Sequence, residues 1–210
     1  MLYFTSDQHF GHENIVKYCA RPYTSAEEMD ADLIERWNSV VGLSDIVYQL
    51  ADFSLGNKHQ VIKYISQLNG RIRLLSTPWH HDRFWLPMDK DVRQAGGRWP
   101  YYALAPQFVT ASGYALELLP PMTTLDIDEL GAGEHPLAIV LCHYPIAMWD
   151  RKHYGSWHLH GHEHQRVQES GYILDVGVDV NDYTPVSLDQ VIEQMKARGW
   201  QQEPTRPTSR

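Results

Sequence analysis

The sequence predicts a single layered α/β domain, and two observations carry that prediction. Strand-like and helix-like segments alternate through residues 2–75, and each cluster of Asp and His falls just past the end of a strand-like segment. The alternation implies parallel strands joined by crossover helices. The clusters then collect along the edge where open α/β sheets gather their ligand sites.

Leu2 to Ser6 is a short apolar strand that runs into Asp7, Gln8 and His9. Ser25 with Glu28 three residues later makes a capping box, and Met29, Leu33, Trp37, Val40 and Val41 recur at helical spacing. Ile46 to Leu50 reads as a buried strand. Val61, Ile62, Ile65 and Leu68 form the buried stripe of the next helix, ended by Asn69 and Gly70, and Arg71 to Leu75 is a third strand. Residues 84–134 are rich in Gly, Pro and aromatics and read as an insertion or lid, with a hairpin around Ser112 and Gly113 joining Phe108–Ala111 to Tyr114–Leu119. Leu137 to Cys142, Trp157 to His160 and Tyr172 to Val176 are further strands. Ser187 and Gln190 cap a last helix through Val191, Ile192 and Met195. The domain is expected over residues 1–200, with 201–210 a frayed polar tail.

Composition narrows the function. The chain has 210 residues, 43% of them hydrophobic, enough for one core without disulfides. Cys19 and Cys142 read as buried reduced thiols. No apolar run approaches the roughly 18 residues of a membrane span or resembles a signal peptide, so a soluble cytoplasmic protein is expected. A formal charge of −8 argues against broad nucleic-acid binding, which depends on cationic side chains. The unusual feature is 12 histidines beside 26 acidic residues, scattered along the whole chain rather than gathered in a tag.

Those residues form an ordered set. Asp7-Gln8-His9 follows the first strand, Asp52 the second, His80-His81-Asp82 the third, His143 the fourth, and His160-Gly161-His162-Glu163-His164 the fifth. Residues two apart on an extended segment project to one side, so Asp7 with His9, and His162 with His164, can reach one ion. Gly161 is expected to permit the tight turn that brings both imidazoles inward.

The order Asp-x-His, Asp, x-His-Asp, His, Gly-His-x-His resembles that of the calcineurin-like metallophosphoesterases, from Asp7 to His164. Phe4-Thr5-Ser6-Asp7, His9-Phe10-Gly11-His12-Glu13-Asn14-Ile15 and Gly177-Val178-Asp179-Val180-Asn181 are similar to a small bacterial and phage-type branch of that superfamily. Two positions depart from its pattern. Ala51 precedes Asp52 where the family has Gly, a small change wherever the backbone does not require positive φ. Trp79-His80-His81-Asp82 replaces Gly-Asn-His-Asp, so an imidazole stands where an amide oxygen meets the metal. His80 either supplies a ring nitrogen to the same ion or is too bulky to leave room for it.

The resemblance implies a layered β-sandwich flanked by helices, with two divalent ions (Mn, Fe, Zn or Ni) at the carboxyl ends of the strands. Asp7, His9, Asp52 and His164 are expected to hold one, and Asp52, His80, His143 and His162 the other, with Asp52 bridging. The activity implied is hydrolysis of a phosphate ester by metal-bound hydroxide, with a small soluble or nucleotide-like phosphodiester favoured. His81 then protonates the leaving oxygen, with Asp82 as its orienting partner or as a helix cap. His12, Asn14, Arg21 and Arg83 follow the metal motifs directly and are expected to line the substrate pocket, Arg taking phosphate oxygens bidentately. His160 reads either as an outer partner of the ligands or as a plain strand residue, and Trp149, His153 and Tyr154 either as a rim over the pocket or, the favoured reading, as ordinary aromatic packing. The competing readings are a weakened fold serving as a binding scaffold, and a dinuclear hydrolase of amides or thioesters.

Overall fold

Alternation of side chains along three short parallel strands sets up the layers of the molecule. In the computed structural model, which describes residues 1–76, 80–86, 103–132, 135–165 and 171–201, these are β1 (Leu2–Thr5), β2 (Ile46–Gln49) and β3 (Arg71–Leu75). Successive residues of a strand face opposite ways. Tyr3, Val47, Ile72 and Leu74 therefore face one side, where they meet Met29, Leu33 and Trp37 of α2 (Ala26–Val40) and Val61 and Ile65 of α3 (Lys58–Ile65). Phe4, Tyr48 and Leu75 face the other side and share a second core with Ile139, Leu141, Trp157 and Leu159 of a second sheet.

The first sheet has six strands, in the order β10-β1-β2-β3-β5-β4, with β4 (Ala103–Val109), β5 (Ala115–Leu119) and β10 (Val186–Ser187). β1, β2, β3 and β5 run parallel, and β10 and β4 pair antiparallel at the two edges. The second sheet is β6-β7-β8-β9, formed by β6 (Met122–Ala132), β7 (His135–Cys142), β8 (Trp157–His160) and β9 (Ile173–Asp175), with β6 alone antiparallel. A short helix α1 (Glu13–Tyr18) follows β1, and α4 (Leu188–Ala197) adds Val191 and Met195 to the core between the sheets. The mixed α/β class is thus observed. Among the described residues, no helix is long and apolar enough to cross a membrane.

The expected strands fall within a residue or two of the observed ones, and the hairpin near Gly113 is present as the β4–β5 pair. Within residues 84–134, the described part supplies β4 and β5, an edge and an interior strand of the first sheet, and β6, an edge strand of the second, while residues 87–102 and 133–134 lie outside the described residues. Residues 202–210 of the expected tail, and Trp79, lie outside them too.

Helix starts follow side-chain chemistry. The box at Ser187 and Gln190 closes in both directions, and a second, unanticipated one at Asn57 and Gln60 opens α3. At Ser25 only half forms: Ser25 accepts from Glu28 N, whereas the Glu28 carboxylate turns to Thr24. Cys19 and Cys142 are free thiols, half-buried rather than buried as expected.

Candidate metal centre

The loops leaving β1 and β2 run side by side. His9 N donates to Asp52 O at 3.0 Å and Phe10 N to Phe53 O at 2.9 Å. The loop after β8 closes on them through His162 N, which donates to Asp7 Oδ2 at 2.9 Å, and Gly161 N ties the same loop to His143 O, just past β7, at 2.9 Å. At this meeting point the backbone is strained. Asp7, His9, Ala51, Asp52, His162 and His164 all have positive φ, between 52° and 79°. Each left-handed residue other than glycine costs about 1–2 kcal/mol. Strain gathered at one spot is characteristic of a functional site.

Ala51, at φ 78°, answers a question the sequence leaves open. The backbone here does require positive φ, so the missing glycine carries a cost. Ala51→Gly is expected to stabilise the protein by up to about 1 kcal/mol, the gain in φ less the looser unfolded chain. A rise in melting temperature of a few degrees checks this; a fall contradicts it.

The expected ligands come together in two groups that share Asp52. In the first, Asp7 Oδ1 lies 3.9 Å from His9 Nε2 and 3.7 Å from His164 Nε2, and the two ring nitrogens are 3.3 Å apart. In the second, Asp52 Oδ1 lies 3.6 Å from His80 Nδ1, Asp52 Oδ2 lies 3.5 Å from His143 Nε2, and His162 Nδ1 is 3.3 Å from that same nitrogen. Asp52 Oδ2 also faces the first group, 3.7 Å from His9 Nε2. Bonds of about 2.1 Å to a central ion leave ligand atoms roughly this far apart.

The donor set fits a cation. Asp7 Oδ1 is buried with no hydrogen-bond donor facing it, an expense that a positive ion offsets. Burial pushes the Asp7 carboxyl up to about 6, against the pull of His164 and of His162 N. Burial also drives His80 and His143 down to about 4 and His9 well below its ordinary value, leaving these rings neutral with a lone pair to give. His143 Nδ1 donates to Leu50 O at 2.8 Å, which leaves Nε2 for a metal. His80 is buried and its ligand atom lies with those of Asp52 and His143 in a group that could hold an ion.

These values set a pH dependence. Below about pH 6 the Asp7 carboxyl holds a proton that an entering cation must displace. His164 must also lose one: burial opposes its charged form, but Asp179 and Asp7 outweigh that and hold its pKa above the ordinary value. Metal affinity of the first group is therefore expected to fall on acidification from neutrality, by about tenfold or more per unit below pH 6. Calorimetric titration between pH 5 and 7.5 checks this; a loss that begins only near pH 4 contradicts it.

Several expected roles change. Arg21 does not face a substrate. Its side chain is 0% exposed and all five N–H groups are used: by both oxygens of Asp179 (2.8 and 2.7 Å), Asp7 O, Gln8 O and Met29 Sδ. Asp82 does not orient His81. It is buried under β2's loop, where its carboxylate accepts from Phe53 N, Ser54 N and Trp85 Nε1, and burial with Asp52 nearby pushes its pKa up to about 7. Asp82 thus fixes the backbone just after Asp52. Asn14 and Arg83 are exposed, with the Arg83 guanidinium over the Phe84 ring. His12 and His81 do join the site, their rings 5.5 and 5.2 Å from that of His9, and His81 Nε2 is 3.9 Å from Asp52 Oδ2. His160 is fully buried, its Nδ1 2.8 Å from Gly161 O, and Trp149 is buried against His158, the ordinary packing favoured for it. Gly161 is not in a left-handed conformation; it is there for room, as Asp7 and Ser6 press on it.

Asp179 is the residue whose role sequence reasoning missed. It accepts from His164 Nδ1 at 2.7 Å and pairs with Arg21, which in turn holds the carbonyls of Asp7 and Gln8. One carboxylate thereby ties the last loop to the first and leaves His164 Nε2 free for an ion. Asp179→Asn is expected to weaken metal retention by roughly 10–100-fold, the usual effect of removing such an outer partner. Retention against a competing chelator measures it; wild-type retention contradicts the role.

No family model matches the chain. It is 30% identical over 201 residues to the Uncharacterized protein MJ1445 of Methanocaldococcus jannaschii, covering 91% of this chain and 89% of that one. It is also 30% identical over 194 residues to the Gene 66 protein of Mycobacterium phage L5, covering 84% and 86%. Among solved structures, the protein of unknown function AQ665 from Aquifex aeolicus matches with a TM-score of 0.56 at 19% identity, over 92% of this chain and 98% of that chain. That likeness is one of fold alone.

Proposed function

The chain belongs to the family of the M. jannaschii protein and the phage L5 gene 66 protein, and for it we propose a dinuclear, metal-dependent phosphoesterase activity of the calcineurin-like kind, directed at small phosphodiesters. The observation that carries this reading is Asp52. Its Oδ2 stands 3.7 Å from His9 and 3.5 Å from His143, so one carboxylate serves both ligand groups. Asp7, His9 and His164 complete the first and His80, His143 and His162 the second. Bound divalent ions supply positive charge that clamps phosphoryl oxygens and makes an attacking water more acidic.

The chain's own residues then divide the work. His81 is 42% exposed on the open side of Asp52, and its backbone N–H donates to Asp52 Oδ1 at 3.1 Å. In this reading His81 is the residue that protonates the leaving oxygen. His12 stands next to it, with ring centroids 6.0 Å apart. Asp82 and Asp179 position Asp52 and His164 from behind.

The test is hydrolysis of a chromogenic phosphodiester and monoester by protein purified without chelator, with Mn, Zn, Fe or Ni added, beside a thioester and a lactam. Metal-dependent turnover of the phosphodiester supports the reading. No turnover with any ion overturns it in favour of a binding scaffold, and turnover of the thioester or lactam alone overturns the substrate class.

A further inference from the structure

The two ligand groups differ in their donors. Around Asp7 and His9 stand two carboxylates and two imidazoles, whereas on the other side of Asp52 stand three imidazoles and one shared carboxylate. The three rings are packed together: His80 lies edge-on to His143 at 4.2 Å between centroids, and His143 edge-on to His162 at 5.1 Å. Tyr144 closes the group, its ring 5.2 Å from His80, 5.0 Å from His143 and 4.6 Å from His162. The chain that carries Tyr144 is pinned from behind by His158, whose Nδ1 donates to Val140 O at 3.0 Å and whose Nε2 accepts from Ile146 N at 3.2 Å.

Resting on the dinuclear reading above, we infer that this four-ring cluster makes the second position selective for borderline dications such as Zn, Ni or Co over hard ones such as Mn or Mg, with His80 the deciding ligand and Tyr144 a positioning residue. Imidazole suits the borderline metals, while Mg and Mn depend on oxygen donors and anionic charge. The second position offers a single carboxylate, and that one is shared. An amide at position 80 replaces nitrogen with a hard oxygen and moves the balance back. Tyr144 keeps the three nitrogens converged because its ring fills the space into which any of them could rotate.

The test needs no substrate. Protein stripped of metal is titrated with Co(II) in a large excess of Mn(II), following the cobalt ligand-field absorption and the metal retained after desalting. Wild type is expected to hold one cobalt ion per chain against the manganese. His80→Asn is expected to lose that preference by about tenfold or more, and Tyr144→Leu by a similar factor, with helix content unchanged by circular dichroism. Equal occupancy by cobalt and manganese in wild type overturns the inference and leaves a two-ion site standing, as does wild-type selectivity in His80→Asn. Should His80→Asn fail to fold, the wild-type competition decides alone. Binding of neither cation overturns both this inference and the phosphoesterase reading.

Discussion

Asp52→Asn is expected to abolish phosphodiester hydrolysis while the protein stays folded. The oxygens of Asp52 reach both ligand groups, with His9, His80 and His143 all within 3.7 Å, closer than Asp7 Oδ1 comes to His143 Nε2 at 3.9 Å. An amide keeps the size of the side chain but loses its charge and one acceptor, so neither ion keeps its shared partner. Ions at such a site stabilise the developing charge by several kcal/mol. At about 1.4 kcal/mol per decade, the loss is on the order of a thousandfold or more. Stability should not follow. Without metal, Asp52 is a carboxylate beside Asp7 and Asp82, whose pKa values its charge raises further, and removing it relieves that repulsion. An inactive variant with a melting temperature at or above that of the metal-free wild type is the expected outcome. Activity within tenfold of wild type contradicts the bridging role.

Gly161→Ala is expected to have the largest effect on the fold and the site together. A Cβ on Gly161 falls 2.2 Å from Asp7 Oδ2, 2.3 Å from Ser6 Oγ and 2.6 Å from Ser6 Cβ. None of these can withdraw freely. Ser6 sits in a bridge to Gly177, its hydroxyl facing Leu50 O and Ala51 O, and Asp7 Oδ2 is held by His162 N. Either the loop after β8 lifts away, taking His162 and His164 with it, or Asp7 turns out of the first group. Overpacking of this kind costs roughly 1–3 kcal/mol or more. For a chain of this size that is a fall of about 2–4 °C in melting temperature per kcal/mol. Metal binding is expected to be lost at the same time. A Gly161→Ala protein with wild-type melting and metal retention contradicts the close approach of these loops.

Much of the layered arrangement was legible because burial writes a period into the chain. Tyr3 and Phe4, Val47 and Tyr48, and Leu74 and Leu75 face opposite cores, and the Asp and His clusters lie just beyond these strands. β6 was not recognised, although Leu125 and Ile127 alternate with Asp126 and Asp128 at the strand period; the acidic residues hid it because they are poor strand formers, tolerated here on the solvent face. In the site, the residues that converge could be read, whereas the jobs of their neighbours could not. Arg21 and Asp82 follow metal motifs in sequence, yet burial turns both toward backbone and carboxylate partners. Asp179 lies beyond the last histidine cluster, and only the folded chain brings it to His164 Nδ1. Positive φ at Ala51 is invisible in principle from residue type, because alanine is disfavoured there.

The most direct test is the metal content of folded protein purified without chelator, measured by plasma mass spectrometry beside Asp52→Asn prepared in the same way. Two divalent ions per wild-type chain, with both lost or sharply reduced in the variant, is the expected result. Wild type that holds no ion after incubation with Mn, Fe, Zn or Ni, or a variant that keeps both, would contradict the shared site on which the proposed activity rests.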